Sequence, residues 1–158
     1  MHKAVPADFE ELPEGLGFTD ILRPLYRRNE GVPAVGMFVQ ARHTNLLDIC
    51  HGGVLMTLAD IGASWAINAT RGEVRAAPTL NLSFDFIAAA REGDWLQAQS
   101  DRVTLKKRVG FSSGVISSGE RLICRYSGSF YLPDHAGFET NPDRLAVLQG
   151  VPPGSDKA

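Results

Sequence analysis

His51-Gly52-Gly53-Val54-Leu55-Met56-Thr57-Leu58-Ala59-Asp60 sets a glycine pair, an apolar run and one carboxylate in immediate succession. The apolar run continues through Ile61, Ala63, Trp65, Ala66 and Ile67, and these side chains spread around the whole helical wheel. The pattern predicts a buried helix from Gly52 to about Ala69. It is just short of the roughly 20 residues a membrane span requires, and it contains Thr57, Asp60 and Ser64. A core helix fits better than a span.

The two glycines lower helix propensity by about 1 kcal/mol each relative to alanine. What glycine offers in return is close approach, and first-turn N–H groups lack intrahelical partners at the positive end of the macrodipole. Two readings are open: a tight loop-to-helix turn with His51 as a cap, or a terminus that binds an oxyanion. Asp60 is open in the same way. A carboxylate among Met56, Leu58, Ala59, Ile61 and Ala63 either faces solvent or serves as a general base or nucleophile. The eight residues from Gly52 to Asp60 span about 12 Å of helix. One helix therefore cannot bring both groups to one carbonyl, and a working site would join the helix start of one chain to the Asp60 of a second copy.

Outward from the helix the pattern changes to strands. Ala34–Arg42 reads as a strand leading into the polar loop His43-Thr44-Asn45, and further strands are expected over Ala77–Ile87, Trp95–Leu105, Arg108–Ser117 and Arg121–Leu132. Leu22–Arg28 is a short edge strand or a helical turn, because Pro24 disfavours a central strand. The links Arg91–Asp94, Lys106–Arg108 and Ser117–Glu120 look like hairpin connections, and such short links exclude parallel pairing. One long helix against five or so antiparallel strands is an α+β layout. Apolar helix surface left over by the sheet is expected in a subunit interface.

The 158 residues suit one domain, divided here into an N-terminal segment 1–17, a folded domain 18–133 and a C-terminal extension 134–158. A net charge of −2 provides no broad basic surface for nucleic acid. Cys50 and Cys124 have no ligand or redox spacing and read as buried free thiols of a reducing cytosol. The acidic N-terminus lacks an apolar signal segment, so a cytoplasmic protein is expected. His43 and His51 lack a third ligand at a workable spacing, so no metal site is expected, and no G-x-S-x-G marks a catalytic serine.

The string Asn45-Leu46-Leu47-Asp48-Ile49-Cys50-His51-Gly52-Gly53, followed by Thr57-Leu58-Ala59-Asp60, resembles the hotdog-fold acyl-CoA thioesterases of the phenylacetate-pathway (PaaI-like) type. The likeness extends to Thr79-Leu80-Asn81-Leu82-Ser83-Phe84 and Glu92-Gly93-Asp94-Trp95, and covers roughly Gly17 to Pro133. It implies a hotdog fold, a curved antiparallel sheet of five to six strands wrapped around one long central helix. It also implies a homodimer or a homotetramer built as a dimer of dimers, and no cofactor beyond the CoA carried by the substrate.

By position, the resemblance makes Asp60 the base or nucleophile and the Gly52 N–H the oxyanion donor. Asn45 lines the attacked thioester, Thr79 positions the water, and His51 completes the catalytic set. Gly53, Ser64 and Trp65 fall to substrate binding, and Trp65 and Phe84 are also ordinary core aromatics. CoA phosphates call for local positive charge, for which Lys106, Lys107 and Arg108 are the first choice, ahead of Arg75 and Arg91; the same cluster also reads as a solvated hairpin turn. One departure is Asp48, where the family commonly has glycine. Pointing inward it would repel a phosphate; pointing outward it is a solvated loop residue. The expected reaction is hydrolysis of an acyl-CoA to acid and CoA. A non-catalytic acyl-CoA-binding or sensing module is the alternative, and a hotdog dehydratase ranks behind both.

Overall fold

A computed structural model describes residues 4–135 and 139–149. Parts of the expected N-terminal segment and C-terminal extension, residues 1–3, 136–138 and 150–158, lie outside the described residues. The elements are β1 (Glu10–Glu11), β2 (Leu25–Arg28), β3 (Ala34–Phe38), α1 (Gly52–Arg71), β4 (Thr79–Phe86), β5 (Trp95–Leu105), β6 (Val109–Ser118), β7 (Arg121–Tyr131) and α2 (Pro142–Leu148).

The strands form a single seven-stranded sheet in the order β1-β2-β3-β5-β6-β7-β4, and every pairing is antiparallel. Seven strands correct the expected five to six. The one not expected is β1, whose two glutamates carry no alternating pattern, while β2 realises the strand alternative for Leu22–Arg28 and pairs with β3 beyond Pro24. A second correction concerns Arg91–Asp94, which is not a hairpin. β4 pairs with β7 at one edge of the sheet while β5 pairs with β3 in the middle, so the chain between them crosses the ends of other strands. A short link sets a limit on distance, not on which strand is the neighbour. A third is Ala34–Arg42, whose strand stops at Phe38 because a 3-10 turn over Ala41–His43 follows, closed by reciprocal hydrogen bonds between Gln40 and His43. The short helix α2 lies beyond the sequence expectations, although Asn141 and Pro142 form a standard start signal.

α1 lies across one face of the sheet, chiefly on β5, β6 and β3. Leu55, Leu58, Ala59, Ala63 and Ile67 point into the core against Met37, Leu96, Ala98, Ile116 and Phe130. Each fully buried Leu or Ile contributes about 1.5–3 kcal/mol. Close approach is fixed at Gly62, where a methyl would stand 2.9 Å from the Ala98 Cβ. The helix ends at Gly72, whose φ of 74° suits the left-handed cap.

The expectation that an all-round apolar helix is buried all round holds only on its sheet side within one chain. Val54, Ile61 and Trp65 are half-buried, and Met56 is 40% exposed. The sheet edge next to it is bare as well: β4 leaves Leu80 and Phe86 exposed, and Ile87 follows. A seven-stranded sheet with β4 at its margin cannot wrap the far side of α1.

Candidate active site at the start and middle of the long helix

The loop before α1 is stitched tightly. Thr44 and Cys50 form an antiparallel bridge, the Cys50 N–H donates to the Ala90 carbonyl (2.8 Å), and the His51 N–H donates to the carbonyl of buried His43 (2.8 Å). Burial holds the His43 imidazole below its ordinary pKa of 6.5. Within the loop the Asn45 side-chain oxygen accepts the Leu47 N–H (2.9 Å), which leaves the Asn45 NH2 without a partner among the described residues. Asp48 adopts φ 55°, the left-handed conformation that glycine takes most easily, and its side chain is exposed. In the single chain Asp48 is exposed, and its backbone angle is one that glycine adopts without strain.

His51 is the N-cap of α1, and its Nδ1 accepts the Gly53 N–H at 2.9 Å. The Val54 and Leu55 N–H groups both go to the His51 carbonyl. Of the first-turn donors, the Gly52 N–H alone has no hydrogen-bond partner among the described residues. Gly52 lies beneath Phe86, with room for a Cβ only 3.3 Å from the ring. Around it opens a hollow of about 360 Å³, lined by Asn45, Ile49, Cys50, Leu55, Phe86 and the Ile87–Ala90 stretch. Cys50 is buried in its wall, and burial pushes its thiol up to about 12.

Two turns along, Asp60 meets a residue from the far edge of the sheet. The Thr79 hydroxyl, at the first position of β4, donates to Asp60 Oδ1 at 2.6 Å. Its other oxygen has no partner among the described residues. A carboxylate with one oxygen held and the other open is suited to take a proton from water or to attack a carbonyl.

Three of the expected site residues, Asn45, His51 and Gly52, thus gather at the helix start, and two, Asp60 and Thr79, gather at its middle. Asp60 and Thr79 do not line the hollow around Gly52. Gly53 spends its N–H on His51, and Ser64 lies one turn beyond Asp60. Trp65 lines a separate cavity with Asn68 and Ala69, while Phe84 stacks on Phe86 (5.6 Å) and tilts toward Tyr126 (6.2 Å). Lys106, Lys107 and Arg108 form the exposed β5–β6 turn, at the sheet end where Val109 pairs with Tyr131, and Arg108 reaches Asp134 at 3.4 Å. The residue missed from sequence is Phe86. Its signal is the alternation of Leu82, Phe84 and Phe86 on one face of a strand.

The chain is similar in sequence and fold to known proteins. Residues 47–124 match the family model of the thioesterase superfamily. A Pseudomonas aeruginosa protein described as a "Putative esterase" is 35% identical over 131 residues, covering 82% of this chain and 98% of its own length. Among solved structures, a mutant form of the phenylacetic acid degradation protein PaaI of Thermus thermophilus is 25% identical with TM-score 0.64, over 73% of this chain and 98% of that one. The E. coli PaaI protein from the phenylacetic acid degradation operon is 28% identical with TM-score 0.58, over 66% of this chain and 74% of that one. The chain belongs to the thioesterase superfamily, as a hotdog-fold member of the PaaI-like type.

Proposed function

We propose that the protein hydrolyses an acyl-CoA thioester, R-CO-S-CoA plus water giving R-COOH and CoA-SH, as a homodimer in which each site joins two chains. The observation that carries this reading is the pair of half-sites on one helix: an unpaired Gly52 N–H at its start, and Asp60 held by Thr79 about 12 Å away. The Gly52 N–H and the Asn45 NH2 of one subunit polarise the carbonyl and hold the oxyanion. Asp60 of the other subunit either draws a proton from water as the water attacks the carbonyl, the tetrahedral intermediate then expelling the CoA thiolate, which takes up that proton, or attacks the carbonyl itself. Direct attack expels the CoA thiolate and leaves an acyl anhydride on Asp60 that water cleaves to R-COOH and the free carboxylate, the water's second proton going to the thiolate. Exposed Met56, Leu80, Phe86 and Ile87, beside an unpaired β4 edge, supply the apolar surface for the second copy. A Streptococcus mutans protein of this fold has been solved with acetyl CoA bound, at 18% identity. Lys106 and Lys107 are offered to the CoA phosphates, since Arg108 already has Asp134.

The test is thiol release from a panel of acyl-CoA substrates by wild type and Asp60→Asn. Loss of a positioned base is expected to lower turnover by about 10² or more. Equal rates for the two proteins would refute the role of Asp60, and tight acyl-CoA binding by a wild type with no turnover would favour the non-catalytic module. Incorporation of ¹⁸O into Asp60 under single-turnover conditions marks direct attack over base catalysis.

A further inference from the structure

Gly52, Met56 and Asp60 follow one another at four-residue intervals, so they share one flank of α1. β4 runs along that same flank, with Phe86 over Gly52 and Thr79 on Asp60. Gly52 has no side chain and Asp60 a short one. Met56, 40% exposed, is the long side chain standing between the two half-sites.

The half-sites dictate how a second copy sits. In a parallel pair of helices each residue lies level with its own counterpart, which leaves Gly52 about 12 Å from the Asp60 of the other chain. The two meet at one carbonyl only if the helices run antiparallel about a two-fold axis that crosses them. If position 52 of each helix meets position 60 of the other, the position midway, 56, meets itself on that axis. The same axis passes the middle of β4, between its contacts with Asp60 and Gly52, and turns the unpaired β4 edge antiparallel to the edge of the second copy.

Resting on the two-chain hydrolytic site described above, we propose that Met56 is a positioning residue. It packs against the Met56 of the second copy on the two-fold axis, and the thickness of that pair sets the gap between the Gly52 N–H of one chain and the Asp60 of the other. Packed helices stand about 8–10 Å apart according to the side chains at their contact, and at the axis those side chains are the two methionines. Each site lies one turn, about 6 Å, from the axis. The attacked carbonyl needs its oxyanion donor at about 3 Å and the attacking oxygen at about 3–3.5 Å, so a change in the gap is felt at both sites together.

Two cysteine variants place the axis. Met56→Cys puts a thiol on it while Cys50 and Cys124 stay buried, and Thr70→Cys puts an exposed thiol near the far end of α1. In the antiparallel pair two cysteines at position 56 fall within reach of a short bis-maleimide, whereas two at position 70 lie about 42 Å apart along the helices. Cross-linked dimer on denaturing gels is expected from Met56→Cys alone. A protein that sediments as a dimer and gives no cross-link through position 56, or that cross-links equally through position 70, would overturn the placement. The positioning role is read from kinetics at concentrations where each variant sediments as a dimer. Met56→Ala thins the pair on both sides of the axis and should lower kcat by about 10², the cost of about 1 Å of misplacement, with KM within about threefold. Met56→Leu, close in volume, should return kcat to within about threefold of wild type. An unchanged kcat in Met56→Ala, or an equal loss in Met56→Leu, would overturn the role; the cross-link and Met56→Leu give their answers even where Met56→Ala loses its fold. The two claims fail separately. Cross-linking through position 56 without thioester turnover keeps the Met56 pair on the axis and removes hydrolysis, whereas turnover by a protein that does not cross-link there keeps hydrolysis and removes Met56.

Discussion

Replacing Gly52 with proline removes one N–H group from the protein and little else. Position 52 is the first residue of α1, where proline is tolerated because its missing N–H has no intrahelical acceptor. The preceding residue, His51, has φ −62° and ψ 135°, the extended conformation that a residue before proline requires. No hydrogen bond is lost among the described residues, since the Gly52 N–H makes none. The added Cβ stands 3.3 Å from the Phe86 ring, a contact that an alanine at this position would make as well. Against that contact, proline reduces the entropy of the unfolded chain by about 0.4–1 kcal/mol. The net change in stability is therefore within about 1 kcal/mol, a shift of at most about 4 °C in Tm. Turnover should respond very differently, because deleting one oxyanion donor costs about 10²–10³ in kcat.

Gly52→Ala is the control, since it introduces the same Cβ and keeps the N–H. Thermal melts and steady-state thiol release on both variants test the reasoning. A folded Gly52→Pro that turns over within about threefold of Gly52→Ala would refute the oxyanion role of this amide. The same variant tests the shared site. Mixing Gly52→Pro with Asp60→Asn, each inactive alone, should restore about a quarter of wild-type activity. Half of the dimers formed at random are mixed, and each mixed dimer keeps one intact site of two. No recovery after subunit exchange would place both groups in one chain.

Burial raises Cys50 to about 12 and Cys124 to about 11, so a thiol-specific disulfide reagent should titrate no cysteine in the native protein and two in urea. Rapid native labelling would contradict the burial of both. The depressed His43 pKa means that the unfolded chain binds the proton more readily than the folded one; stability is complete above pH 6.5 and falls as pH drops below it. Melting from pH 7.5 to 5.5, with the His43 titration followed by NMR, checks the sign; a midpoint above 6.5 would reverse it. At Asp48, φ 55° predicts that Asp48→Gly melts at or slightly above wild type while Asp48→Val loses about 1–2 kcal/mol, and equal melts for the two would show that the loop does not impose this angle.

Much of the site was legible before folding because it is local. A glycine pair, a capping histidine and an aspartate eight residues on belong to one helix, and helix geometry fixes their 12 Å spacing without reference to any other element. The same locality made α1 and four strands of the sheet readable, with Trp95–Leu105 placed at both ends. It could not reveal β1, since two paired glutamates have no periodicity, nor the neighbours of β4, since alternation records which face a residue occupies and not which strand it joins.

From the amino-acid order alone came the helix, its apolar faces, the free donors at its start and the need for a second source of the carboxylate. Only the tertiary structure decided that β4 lies at the sheet edge beside β7, which brings Thr79 to Asp60 and Phe86 over Gly52. It also decided that His51 takes the Gly53 N–H, so that the unpaired donor is Gly52, and that residues near both ends of the chain close a cavity on Trp65. The reason is physical: backbone periodicity acts over a few residues, whereas contacts between Thr79 and Asp60 or between Arg27 and Trp65 follow from strand order and packing, which no local pattern records.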